Sequence, residues 1–97
     1  MFARVASFEG GDEERLRQLN EERMSTGTMD LPAGLKSAMV LGNSVSGRRM
    51  FITFFDSREE IKAAESRFES MGDEIPEEVR GRRTSVDVYE VVWNQEA

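Results

Sequence analysis

The chain has 97 residues, of which 33% are charged and 38% hydrophobic, and it carries a net charge of −6. That composition fits one soluble globular domain over residues 1–97; it excludes a disordered chain and argues against a nucleic-acid partner, since an acidic surface repels phosphate backbones. With neither cysteine nor histidine in the sequence, disulfides, iron–sulfur clusters, thiolate nucleophiles and the commonest metal ligand and neutral-pH base are all removed.

Phe2 to Phe8 has the length and composition of a strand and ends at the turn signal Gly10-Gly11. Asp12 reads as an N-cap, with Glu13 and Glu14 in a helical first turn where the dipole favours negative charge. The helix runs to about Met24 on a sparse apolar stripe of Leu16, Leu19 and Met24, so shallow burial is expected, and Ser25 to Thr28 ends it. A connection with Pro32 and Gly34 leads to a second strand at Leu35 to Gly42. Asn43 to Gly47 is a hairpin loop, and the third strand runs from Arg49 to Phe55. Ser57 and Glu60 have the spacing of a capping box. Ile61, Ala64, Phe68 and Met71 recur at helical spacing, which predicts one buried face, with Gly72 as the stop. Pro76 to Val79 fits a single helical turn, and the last strand is expected from Thr84 to Trp93.

The order is βαββαβ, the ferredoxin-like α+β arrangement: a four-stranded antiparallel sheet with two helices on one face. Two helices leave the other face uncovered. Yet Met50 to Phe55 is apolar on both sides of the pleat except at Thr53, and Ala38 to Leu41 is apolar on both sides too. Four strands of about seven residues expose roughly 400–450 Å², as much as the largest patch a typical monomer leaves open. A second copy of the chain is the simplest cover, so a homodimer is expected; a larger partner protein on the same face is the alternative.

Alternation places Met50, Ile52 and Phe54 against the helices. Phe51, Thr53 and Phe55 then line a cavity on the open side, with Arg4 on the first strand and Tyr89 and Trp93 on the last. These six form the expected ligand pocket. Two readings of Arg4 stand: an ion pair with Asp87 or Glu90 on the neighbouring strand, or a ligand contact. Basic residues at Arg48-Arg49 and Arg80 to Arg83 read as solvated surface. The pairs Glu13-Glu14, Glu59-Glu60 and Glu77-Glu78 lie at helix starts, where the dipole explains them, so no metal site is assigned. Gly10-Gly11 is a turn rather than a phosphate loop, so no cofactor is expected. No apolar run reaches the ~20 residues of a membrane span, and the opening residues lack the pattern of a signal peptide. A membrane is therefore not an expected partner, and the location is expected to be cytoplasmic.

Phe2 to Gly10, Leu31 to Leu41, Phe51 to Glu60 and Val86 to Val92 together resemble the dimeric α/β-barrel superfamily, and within it the antibiotic-biosynthesis-monooxygenase-like group with its uncharacterised bacterial members. The resemblance covers nearly the whole chain. It implies a dimer whose sheets close into a barrel with pockets between sheet and helices, a small apolar or aromatic ligand, and, where there is chemistry, a cofactor-independent monooxygenase-like oxidation. The alternative is a non-enzymatic binding or structural module. Haem-degrading relatives use a histidine on iron, which this chain lacks. Cofactor-free oxygenases of the group use residue types that Arg4, Asn43, Tyr89 and Trp93 provide, although Asn43 also reads as a turn residue. Tyr89 is the candidate base, and Arg4 the group to stabilise an anion. RNA-recognition modules share the βαββαβ order, but Gly47 to Met50 lacks their Gly-aromatic-Gly signature and the charge is wrong.

Overall fold

In the computed structural model, which describes residues 1–26 and 31–96, the elements run β1 (Phe2–Glu9), α1 (Glu13–Thr26), β2 (Ser37–Asn43), β3 (Arg48–Phe55), α2 (Arg58–Asp73), α3 (Glu77–Arg80) and β4 (Arg82–Glu90). The strands form one antiparallel sheet in the order β2-β3-β1-β4. This is the ferredoxin-like α+β fold that the element order implies. The expected helix end at Gly27 and Thr28 falls outside the described residues, as does the Met24 side chain.

Local chemistry sets most of the boundaries. Asp12 caps α1: its Oδ1 accepts from the Arg15 amide at 3.1 Å. Ser57 caps α2, with its hydroxyl accepting from the Glu60 amide at 3.2 Å and donating to the Glu60 carboxylate at 3.4 Å. Asn43 closes the hairpin by accepting from the amides of Val45 and Ser46 through its side chain. Several expected boundaries move, and β2 starts at Ser37 rather than Leu35. Gly72 stays helical, and α2 runs on to Asp73 with Glu74 as its C-cap. The last strand starts two residues early and stops at Glu90 instead of Trp93. Its only neighbour is β1, which begins at Phe2, and the final pairing is Val91 N–H to the Met1 carbonyl at 2.9 Å.

The core lies between α2 and the sheet. Phe55, Ile61, Ala64 and Phe68 are buried together, with Phe2, Leu35, Phe51, Met71 and Val88 packed around them. Phe68 meets Phe55 and Phe51 edge to face, at centroid distances of 6.1 and 6.3 Å. These contacts reverse the expected sides of the sheet. Phe51, Thr53, Phe55 and Arg4 face the helices, while Met50, Ile52 and Phe54 face the open side. The grouping by alternation holds; the side does not. Both sets are apolar enough to be core, so hydrophobicity cannot choose between them. Burial does: Thr53 and Phe55 are fully enclosed, whereas Met50 is 38% exposed. Arg4 can lie inside because α2 brings Glu65 to it.

Candidate ligand cavity

The two helices cover the sheet unequally, and the gap becomes a cavity. The described side chains of α1 are all half-buried or exposed. Small residues, Ala6 and Ala38, lie on the sheet floor facing it. A cavity of about 610 Å³ opens between Leu16 and Asn20 of α1, this floor, Phe51 and the edge of Phe68. It therefore lies between helices and sheet, not on the open face.

Arg4 stands at one wall, 2% exposed. Its Nε donates to Glu65 Oε1 at 2.7 Å and its Nη2 to Oε2 at 3.3 Å, and its guanidinium carbon sits 4.2 Å from the Phe68 ring centroid. The partner is thus Glu65 on α2, rather than Asp87 or Glu90: the latter two belong to the neighbouring strand, but the helix supplies the carboxylate that reaches the inward-pointing guanidinium. This fork also uses the bidentate geometry in which arginine binds carboxylate best.

Of the other expected pocket residues, Phe51 lines the cavity. Thr53 and Phe55 share its face but lie beneath, fully enclosed, and among the described residues Thr53 Oγ1 has no hydrogen-bond partner. Tyr89 pairs with Ala3, one position out of phase with Arg4, so it lies on the open face, 55% exposed. It cannot reach a molecule held beside Arg4. Trp93 lies beyond β4, 77% exposed. The register explains Tyr89, since the inside-facing positions on β4 are Val86 and Val88, whereas Trp93 lies outside the paired strand.

Arg49 is the residue that sequence reasoning missed. Its neighbour Arg48 is surface, paired to Glu9, and so are Arg82, paired to Glu9, and Arg83, paired to Glu69. Arg49 is only 5% exposed, and Arg80 is half-buried. Arg49 Nη2 donates to the carbonyls of Gly10 at 2.7 Å and Arg80 at 2.6 Å, tying the β1–α1 turn to α3. The turn accommodates it through glycine: Gly11 has φ +83°, and a Cβ there would sit 2.5 Å from Arg49 Nη2. The signal present in the sequence was the phase of Arg49, which alternation groups with Phe51, Thr53 and Phe55 and sets opposite to Arg48. On the cavity rim Glu69 is held below the usual carboxylate range by its hydrogen bond to Arg83 and by that residue's charge.

The glutamate pairs lie in the first turns of α1, α2 and α3. Among the described residues no cluster of three or more acidic, histidine or cysteine side chains could hold a metal ion, and no helix is long and apolar enough to cross a membrane.

Fold and cavity together define a ferredoxin-like α+β domain with a small-molecule-sized space between its helical layer and its sheet. A solved structure of MhuD, a mutant crystallised with two manganese protoporphyrin IX bound per active site, has the same fold: it aligns over 100% of both chains with a TM-score of 0.60 at 13% sequence identity. No family model and no curated protein matches the sequence.

Proposed function

We propose that this protein binds a small apolar or aromatic molecule in the cavity between α1 and the sheet. The observation that carries the reading is the cavity itself, about 610 Å³ and walled by Leu16, Ala6, Ala38, Phe51 and Phe68, which is the size and character of an organic-ligand site. The neighbouring structure supports it, since MhuD holds porphyrins in its active site. A haem-type metalloporphyrin does not fit the donors here. The chain has no histidine or cysteine, its tyrosine is on the opposite face, and methionine usually holds haem iron beside a histidine. The ligand of this reading is therefore organic and metal-free.

The test uses N-phenyl-1-naphthylamine, a neutral aromatic dye that brightens in apolar sites. Saturable binding is expected in the wild type and its loss in Ala38→Trp, which fills the floor from an exposed edge position while the far-UV spectrum stays unchanged. Binding that survives Ala38→Trp places the dye elsewhere and defeats the reading.

A cofactor-independent monooxygenase-like reaction is the catalytic extension of this site: an electron-rich aromatic loses a proton to solvent, Arg4 stabilises its anion, and the anion itself supplies the two electrons that reduce oxygen, keeping one oxygen atom while the other leaves as water. Oxygen uptake on adding anthrone, above the uncatalysed rate, with one atom of labelled dioxygen in the anthraquinone formed, unaffected by Tyr89→Phe and reduced by Arg4→Met, is the outcome it requires. The open sheet face, with Met39, Leu41, Met50 and Tyr89 each 38–55% exposed, supports a homodimer; light scattering should then give about twice 11.0 kDa.

A further inference from the structure

We propose that the ligand of this cavity carries an anionic group, a carboxylate or similar oxyanion, and that Arg49 is the residue that receives it, with Arg80 beside it. The proposal rests on the cavity reading above and names the substrate class it takes.

Six arginines line the cavity against three carboxylates, Glu69, Asp73 and Glu77, in a chain of net charge −6. Four of the six already have counter-charges: Arg4 with Glu65, Arg23 with Glu74, Arg82 with Glu9 and Arg83 with Glu69. Arg49 and Arg80 make no ion pair among the described residues. Arg80 donates only to the carbonyls of Ile75 and Gly81. Arg49 is the more demanding of the two, 5% exposed and bonded through Nη2 to two carbonyls, while its Nη1 is buried with no acceptor.

A buried guanidinium without a counter-ion is costly, and its charge cannot be shed because arginine does not deprotonate in proteins. Tying the Gly10 turn to Arg80 needs donors but no charge. The uncompensated charge at the cavity wall is the feature a bound anion would satisfy. Glu13 lines a smaller cavity on the hairpin side of Arg49 without pairing to it, and Glu69 is engaged by Arg83. The rim carboxylates Asp73 and Glu77 are exposed.

The experiment compares two probes with one ring system: 8-anilino-1-naphthalenesulfonate and the neutral N-phenyl-1-naphthylamine. The wild type should bind the sulfonate at least tenfold more tightly, against its own net charge. Arg49→Gln, which removes the charge and keeps an amide donor on a shorter side chain, should bring the two affinities together by weakening the sulfonate far more than the neutral dye. Arg49→Lys should keep most of the preference. A ratio near one in the wild type, or a ratio unchanged in Arg49→Gln, overturns the inference and leaves the cavity reading standing. Failure of both probes to bind overturns the cavity reading and the inference with it. Sulfonate binding that persists in Ala38→Trp lies outside the cavity and also overturns the inference. If Arg49→Gln does not fold, as its circular dichroism will show, the wild-type ratio and its retention in Arg49→Lys decide.

Discussion

The helical layer is built from two unlike halves. On α2, Ile61, Ala64 and Phe68 are buried, and Phe68 alone touches Phe51, Phe55 and Arg4. On α1, the described apolar side chains, Leu16 and Leu19, reach only half-burial. One helix makes the core and the other roofs a space. The difference teaches that a cavity needs no special device: a helix with a sparse apolar stripe, set over alanines on the sheet, does not close down on them. The packed core lies on one side of the domain and the open space on the other.

The comparison can be broken most forcefully at Phe68. Phe68→Ala removes the ring that three partners share, and the cost should be about 3–5 kcal/mol, read from urea denaturation; a loss under ~1 kcal/mol would mean that α2 is not the core helix. The two caps should then differ in kind. Ser57→Ala is expected to cost ~1 kcal/mol of global stability, because α2 cannot loosen without the core. Asp12→Ala should act locally, speeding hydrogen exchange of the first α1 amides while the denaturation midpoint hardly moves. Equal global effects would erase the distinction between the halves. Leu16→Ala should be milder still, under ~1 kcal/mol, because half-burial leaves little surface to expose again, yet it should weaken binding of the neutral dye by removing part of the cavity wall.

The smallest expected effect is electrostatic. Glu69 is held below the usual carboxylate range by Arg83, so its contribution is fully present above that range and is lost as pH falls through its folded value. Glu69→Gln should therefore lower the thermal midpoint slightly at neutral pH and converge with the wild type in acid. The pair is solvent-exposed, so added salt should shrink the difference as well. A difference that grows in acid would show that another group, not this carboxylate, sets the dependence.

Much of the fold was legible because it is written in local chemistry. Asp12, Ser57 and Asn43 each bond backbone groups within a few residues of themselves, so their roles need no knowledge of the rest of the chain. The three-and-four spacing of Ile61, Ala64 and Phe68 marks a buried helix face wherever that helix ends up. The site was less legible. Alternation correctly grouped Arg4 with Phe51, Thr53 and Phe55, since their phase along paired strands is fixed. It could not say which side the group faces, because the opposite set, Met50, Ile52 and Phe54, is just as apolar. Without Glu65 in view nothing local marks Arg4 as inward-facing, so its group is expected on the open side with Tyr89; Tyr89 does lie there, and the register that sets it opposite Ala3 separates it from Arg4.

The sequence by itself determined the elements, their order and hence the antiparallel ferredoxin-like sheet, for these depend on capping, periodicity and the right-handedness of crossovers. Only the tertiary structure decided that Glu65 neutralises Arg4, that Arg49 is buried while Arg48 beside it is not, and that the cavity lies under α1. Those outcomes depend on contacts between residues 31 to 61 positions apart, and a pair so distant leaves no periodic mark on either segment; it is fixed only when the sheet register and the seating of the helices bring the two together.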